Sequence, residues 1–131
     1  MAITIAYDGS QVAKEAVGLA RRHAEAFDTE IEVIQAVENG ADLEYPEVEK
    51  MEKRLTQEVD QILSDQKIPY KAVLLVGSGS AGDQIVRRLE RTGSQAICLG
   101  IMRRSKMGKL FFGSTAQYVI LNAPCPVVSI R

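Results

Sequence analysis

Three short stretches of this 131-residue chain carry residue types that could hold a charged ligand: Asp8-Gly9-Ser10, Gly77-Ser78-Gly79-Ser80, and Gly100 to Thr115, which reads GIMRRSKMGKLFFGST. The last has three glycines, four basic residues and no acidic one, with a Phe-Phe pair just ahead of Gly-Ser-Thr. One carboxylate, hydroxyls, glycines and guanidinium groups are what binding a sugar and phosphates needs. Glycine lets an oxyanion come close to backbone amides, and arginine holds phosphate oxygens in pairs. They are not what catalysis needs. No His or Glu with a nucleophile partner accompanies them, and no second carboxylate stands beside Asp8 for metal binding or acid–base work. The phosphate-loop pattern GxxxxGK[ST] is absent, and of GxGxxG only the first half occurs, at Gly77-Ser78-Gly79.

Composition narrows the field further. At 131 residues and 46% hydrophobic content the chain suits one domain, residues 1–131, with a proper core. A net charge of −1 provides no general attraction to nucleic acid or to an anionic membrane, so neither is expected as a partner. The start, MAITIAYDG, lacks the basic head and apolar centre of a signal peptide, and no apolar run has the length of a membrane span. The expectation is a soluble, cytoplasmic protein. Cys98 and Cys125 sit in apolar, strand-like surroundings as small buried thiols, and two cysteines with one histidine make no metal-ligand spacing.

The elements that must position these residues alternate between two periods. Ala2 to Tyr7 reads as a strand, Asp8-Gly9-Ser10 as a turn and helix cap, and Ala13, Ala16, Val17, Ala20, Ala24 and Phe27 as one face of a helix. His23 falls on the more polar side of that helix. Ile31 to Val37 is a second strand, and Glu38 to Tyr45 a polar loop. Pro46 opens a helix whose inner stripe is Val48, Met51, Leu55, Val59 and Ile62, its other side being filled by mixed charges that suit a solvated face. Tyr70 to Val76 is a third strand, followed by a helix carrying Ile85, Val86 and Leu89. Gln95 to Leu99 is a fourth strand, Ser114 to Asn122 a short helix, and Pro126 to Ile130 a fifth strand. Strands separated by helix-length crossovers pair in parallel, so the fold class is a single doubly wound α/β sheet with helices on both faces. Ligands of such sheets bind beyond the carboxyl ends of the strands, where the strand order reverses.

Taken together, YDGS after the first strand, VGSGSAGDQIV after the third, and LG followed by a basic loop, GST, a short helix and APCPVVSI resemble the universal stress protein family along essentially the whole chain. The resemblance implies strand order 3-2-1-4-5 with the switch point between strands one and four. It also implies a homodimer paired through the C-terminal strand, Val127 to Ile130, which would protect an apolar edge.

Members that bind ATP resemble one another in a loop of pattern G-x2-G-x9-G-[ST]. Here Gly100, Gly113 and Ser114 fill their places with the spacing intact, and Arg103 stands where the second glycine belongs. Carried over residue by residue, the nucleotide-binding candidates are Ala6, Tyr7 and Asp8 near the adenosine and Val37 beside the adenine. After the fourth strand come Leu99, Gly100, Met102 and Arg103, and Gly113, Ser114 and Thr115 lie around ribose and phosphate. If the glycine served only a left-handed turn, arginine there costs on the order of 1 kcal/mol; if it served close approach, the side chain blocks the phosphate. Arg103, Arg104, Lys106 and Lys109 meanwhile add positive field, and the helix start at Ser114 adds amides. Two readings stay open: a stress-response module holding ATP or AMP, or a non-binding dimeric module that works through protein partners, its site altered by Arg103. Any enzymatic activity is expected to be slow ATP hydrolysis at most, since nothing positions a water. Phe111 and Phe112 read as an apolar anchor for the loop, and Ser114 or Thr115 as the cap of the helix after it.

Overall fold

The computed structural model describes residues 1–65, 67–101 and 113–131. Among them the chain order is β1 (Ala2–Ala6), α1 (Gln11–Phe27), β2 (Glu30–Val37), a 3-10 turn (Gly40–Asp42), α2 (Tyr45–Leu63), β3 (Tyr70–Val76), α3 (Ala81–Thr92), β4 (Ala96–Gly100), α4 (Ser114–Asn122) and β5 (Val127–Ile130). The five strands form one parallel sheet in the order β3-β2-β1-β4-β5. This is the doubly wound fold expected from the alternating pattern.

Alternation along each strand divides the core in two. Ile3, Ile5, Ile31, Val33 and Cys98 face the alanine-rich stripe of α1 (Ala13, Ala16, Val17, Ala20, Ala24) and Leu55, Val59 and Leu63 of α2. Ile34, Ile97 and Leu99 face Ile85, Val86 and Leu89 of α3 and Val119 of α4. Helices cover both faces, which is why these strands read as almost continuous apolar runs. The small stripe of α1 lets that helix lie close to the sheet. Ser10 caps α1 by accepting from the Ala13 N–H at 3.2 Å, and Ser80 caps α3 by accepting from the Asp83 N–H at 3.2 Å.

Several boundaries and side chains differ from the periodic reading. Phe27 is 59% exposed, because it is the last residue of α1 and the chain reverses at once through Asp28 in a left-handed conformation. Tyr45, not Pro46, is the first residue of α2, and Leu63 takes the fully buried place assigned to Ile62. Val48 and Met51 are only half-buried. β1 ends at Ala6, β4 runs from Ala96 to Gly100, and β5 begins at Val127 because Pro126 has no N–H for the ladder. Gly113 is the N-cap of α4, which has no side-chain cap hydrogen bond, so neither Ser114 nor Thr115 caps it. Both cysteines are free: Cys98 is buried, its thiol pushed up to about 11 by burial, and Cys125 is half-buried. His23 is half-buried, its ring 6.5 Å from that of Phe27.

One buried group had no sign in the sequence. Glu32, in the middle of β2, has a side chain only 4% exposed; it accepts from Arg88 Nε of α3 at 2.7 Å and meets Lys71 Nζ of β3 at 3.4 Å.

Candidate functional site

β1 hands the chain to α1 on one face of the sheet, and β4 hands it on toward α4 on the other. Their exits diverge, and a crevice opens at the carboxyl ends of the two strands. A cleft of about 330 Å³ lies there. It is lined by Ala6, Tyr7 and Asp8 after β1, Ala13 of α1, Ala36 of β2, Ala81 and Ile85 of α3, Leu99, Gly100 and Ile101 of β4 and its exit, and Gly113, Ser114, Thr115 and Ala116 at the start of α4. Its volume is at the small end of the roughly 300–1,000 Å³ typical of small-molecule sites.

The lining has two kinds of surface. Ala6, Ala36, Ala81, Ile85 and Leu99 give an apolar part, in which three of the five side chains are alanine. Asp8, Ser114, Thr115 and the first amides of α4 give a polar part. Asp8 is exposed, and its Oδ1 accepts from the Ser10 N–H at 2.9 Å, the short turn anticipated for this residue. Its other oxygen has no partner among the described residues. Tyr7 also belongs to the lining, but its hydroxyl is engaged with Glu58 Oε2 of α2 at 2.9 Å; burial and that carboxylate together raise its pKa well above the usual tyrosine value. A second carboxylate thus stands behind the site, held by Arg54 at 3.6 Å, where the sequence had pointed to Asp8 alone.

The two glycines that frame the loop differ in what they do. A Cβ on Gly100 would lie 2.9 Å from the carbonyl carbon and oxygen of Val12, so this residue is glycine because β4 passes close under the first turn of α1. Among the described residues a Cβ on Gly113 would meet nothing within 4 Å, and its φ of −61° suits any residue. Nothing among the described residues requires glycine there. Where α1 and α3 have serine side chains bonded to their first-turn amides, α4 begins with neither a serine bond nor a side chain at its cap, and it begins in the cleft. Such a terminus presents N–H groups and the positive end of the helix dipole to an anion.

Of the residues singled out from the sequence, the cleft therefore gathers Ala6, Tyr7, Asp8, Leu99, Gly100, Gly113, Ser114 and Thr115. Val37 is not in its lining; Ala36 is, and the carbonyl of Val37 accepts from Gln84 Nε2 at 2.9 Å. Gln84, buried at 6% exposure, also donates to the Gly79 carbonyl and accepts from the Gly77 N–H, so the Gly77 to Ser80 stretch is a side-chain-pinned turn. Met102, Arg103 and the Phe111-Phe112 pair lie outside the described residues. Missed in the sequence were Ala13, Ala36, Ala81, Ile85, Ile101 and Ala116. Four of the six are alanines near strand ends and helix starts, a signal visible only once those ends converge; Ile85 and Ile101 carried no signal beyond that of ordinary core residues. Among the described residues no group of three or more His, Cys, Asp or Glu side chains could hold a metal, and no helix is long and apolar enough to cross a membrane.

The universal stress protein family matches this chain from residue 1 to residue 131. The chain belongs to the universal stress protein family. A universal stress protein of Thermus aquaticus is 31% identical over 134 residues, covering 98% of this chain and 97% of that one. The structure of a universal stress protein from Archaeoglobus fulgidus superposes with a TM-score of 0.85 at 30% identity, over 100% of this chain and 98% of that one. Another structure of the universal stress protein from that organism, in complex with dAMP, shares the fold with a TM-score of 0.80 at 24% identity, over 100% and 98% of the two chains. In universal stress protein terms, the cleft lies at the reversal of strand order between β1 and β4.

Proposed function

We propose that residues 1–131 form a single cytoplasmic, homodimeric stress-response module that binds an adenine nucleotide, AMP or ATP, in the cleft between β1 and β4. The observation that carries this reading is the pairing of Gly113, open among the described residues, with an α4 terminus that no described side chain caps, both lining a cleft with an apolar floor and the Asp8 carboxylate. Phosphate at Ser114 to Ala116, a ring over Ala6 and Ala36, and a ribose or base donor at Asp8 would use each surface for the group it suits. The relative solved with dAMP supports the same ligand class. Among the described residues of the lining no nucleophile–base pair is in place, and the proposed role is binding and not fast chemistry.

The test is calorimetric titration of AMP and of ATP into wild type and Gly113→Asp. Aspartate is a good N-cap, so the variant is expected to keep or raise its melting temperature, while its carboxylate occupies the phosphate position and weakens nucleotide binding by about tenfold or more. If wild type binds neither nucleotide at millimolar concentration, or the variant binds as well as wild type, the reading fails and the non-binding module replaces it.

The dimer proposal rests on β5. The Ile97 and Ile101 N–H groups donate to the carbonyls of Pro126 and Ile130, so the even-numbered backbone groups of β5 face β4 and those of Val127 and Ser129 face outward. On α4, which precedes this strand, Leu121 is 81% and Ile120 40% exposed. Ser129→Pro removes an outward N–H without touching the β4 ladder. It is expected to sediment as a monomer where wild type sediments as a dimer; a wild-type monomer, or a variant that stays dimeric, counts against pairing through β5.

A further inference from the structure

The opposite edge of the sheet is less protected. β3 is seven residues long where β5 is four, it pairs only with β2 among the described residues, and Ala72 to Val76 (AVLLV) are all half-buried. Natural edge strands are usually blunted by a central charge, a proline or a bulge, and AVLLV has none of these; Lys71 sits at its start and is drawn toward Glu32. The Ile31 N–H donates to the Pro69 carbonyl, which turns the odd-numbered backbone groups of β3 toward β2 and leaves those of Ala72, Leu74 and Val76 facing outward.

The two sides of this edge differ in charge. On the α3 side a groove of about 540 Å³ runs along Val73 to Gly77 and is walled by Arg87, Arg88 and Arg91, with no carboxylate in its lining. Arg88 is committed to Glu32, and Arg87 to Asp83 at 3.3 Å and the Ser78 carbonyl at 2.9 Å. Arg91 is exposed and forms no ion pair among the described residues. On the α2 side a smaller groove of about 230 Å³ is lined by Ala72, Leu74, Leu55 and Thr56, with Glu52 at its margin.

We propose that the free edge of β3 takes up an extended segment of another protein as a sixth strand, a segment in which acidic and apolar residues alternate. Side chains of an added strand point alternately to the two faces. Carboxylates on one face meet Arg91, and apolar groups on the other meet Ala72 and Leu74, where Glu52 repels a second row of acids. A second copy of this chain fits poorly. Antiparallel β3–β3 pairing about a two-fold axis would bring both rows of arginines onto the same face of one continuous sheet.

The probe is a fluorescein-labelled peptide of alternating glutamate and valine, with two controls: lysine in place of glutamate, and the same sequence with every amide N-methylated. Fluorescence anisotropy is expected to show saturable binding of the first peptide alone, weakened about tenfold or more by Arg91→Glu at an exposed position where folding is unaffected by circular dichroism. Amide exchange is expected to slow at Ala72, Leu74 and Val76, the outward groups, on adding the peptide. No binding, binding that survives N-methylation or Arg91→Glu, or protection at other residues would overturn the proposal. So would protection of those three amides in peptide-free protein that vanishes on dilution, which would identify a second copy as the occupant.

Discussion

Replacing Glu32 by alanine is expected to lower the free energy of unfolding by about 3 kcal/mol, measured by urea denaturation. The carboxylate is 4% exposed and is the sole anion in contact with Arg88 Nε, at 2.7 Å, among the described residues. Taking it away leaves a guanidinium that is 17% exposed between α3 and the sheet with its charge unanswered. The expected loss is at the lower end of what breaking a buried pair costs, since Lys71 is 55% exposed and can turn to water. The double variant Glu32→Met with Arg88→Met removes both charges, keeps the volume and is expected to recover most of the loss. A single-variant loss below about 1 kcal/mol would mean that the pair is solvated and does not dock α3.

Gly100→Ala is expected to cost about 1–3 kcal/mol, the range for forcing one extra carbon into a packed interior. The new Cβ would stand 2.9 Å from the Val12 backbone, which cannot swing aside as a flexible side-chain tip can. The first turn of α1 must then lift from β4, and the cleft between them changes shape with it. Gly100→Ala should therefore lose stability and nucleotide affinity together, whereas Gly113→Asp should lose affinity alone. Urea denaturation and calorimetry on both variants make the comparison. If Gly100→Ala kept wild-type stability, the packing account of this glycine would be wrong, and close approach of a ligand would be the better reason for it.

The contrast between these glycines bears on how sequence and structure divide the information. In the sequence Gly100 and Gly113 are equivalent ends of one loop pattern. Only their surroundings separate them, because what a missing Cβ achieves depends on which atom stands where it would have been. Val12 is 88 positions from Gly100 in the chain, and no local pattern predicts that approach. Glu32 and Arg88 are 56 residues apart, and the glutamate falls in a strand that reads as apolar with an incidental charge. Phe27 shows the same limit at the surface: periodicity gives a side chain a direction, but it cannot say whether another element lies in that direction.

The sequence by itself determined the order of strands and helices, the parallel sheet and the two-sided core, because periods of two and of about 3.6 are properties of the backbone and need no partner to be read. It pointed to the carboxyl end of the sheet, where the structure has its cleft between β1 and β4. It also named Asp8, Gly100, Gly113 and Ser114, whose types are unusual for the places they hold. The tertiary structure alone decided that Ala36 and not Val37 lines the cleft, that Gln84 occupies the Val37 carbonyl, that Gly100 serves packing while Gly113 leaves space, and that β3 carries an arginine-walled open edge. The physical reason is common to all four. Each depends on a distance between residues remote in the chain, and that distance is set by how the helices settle on the sheet.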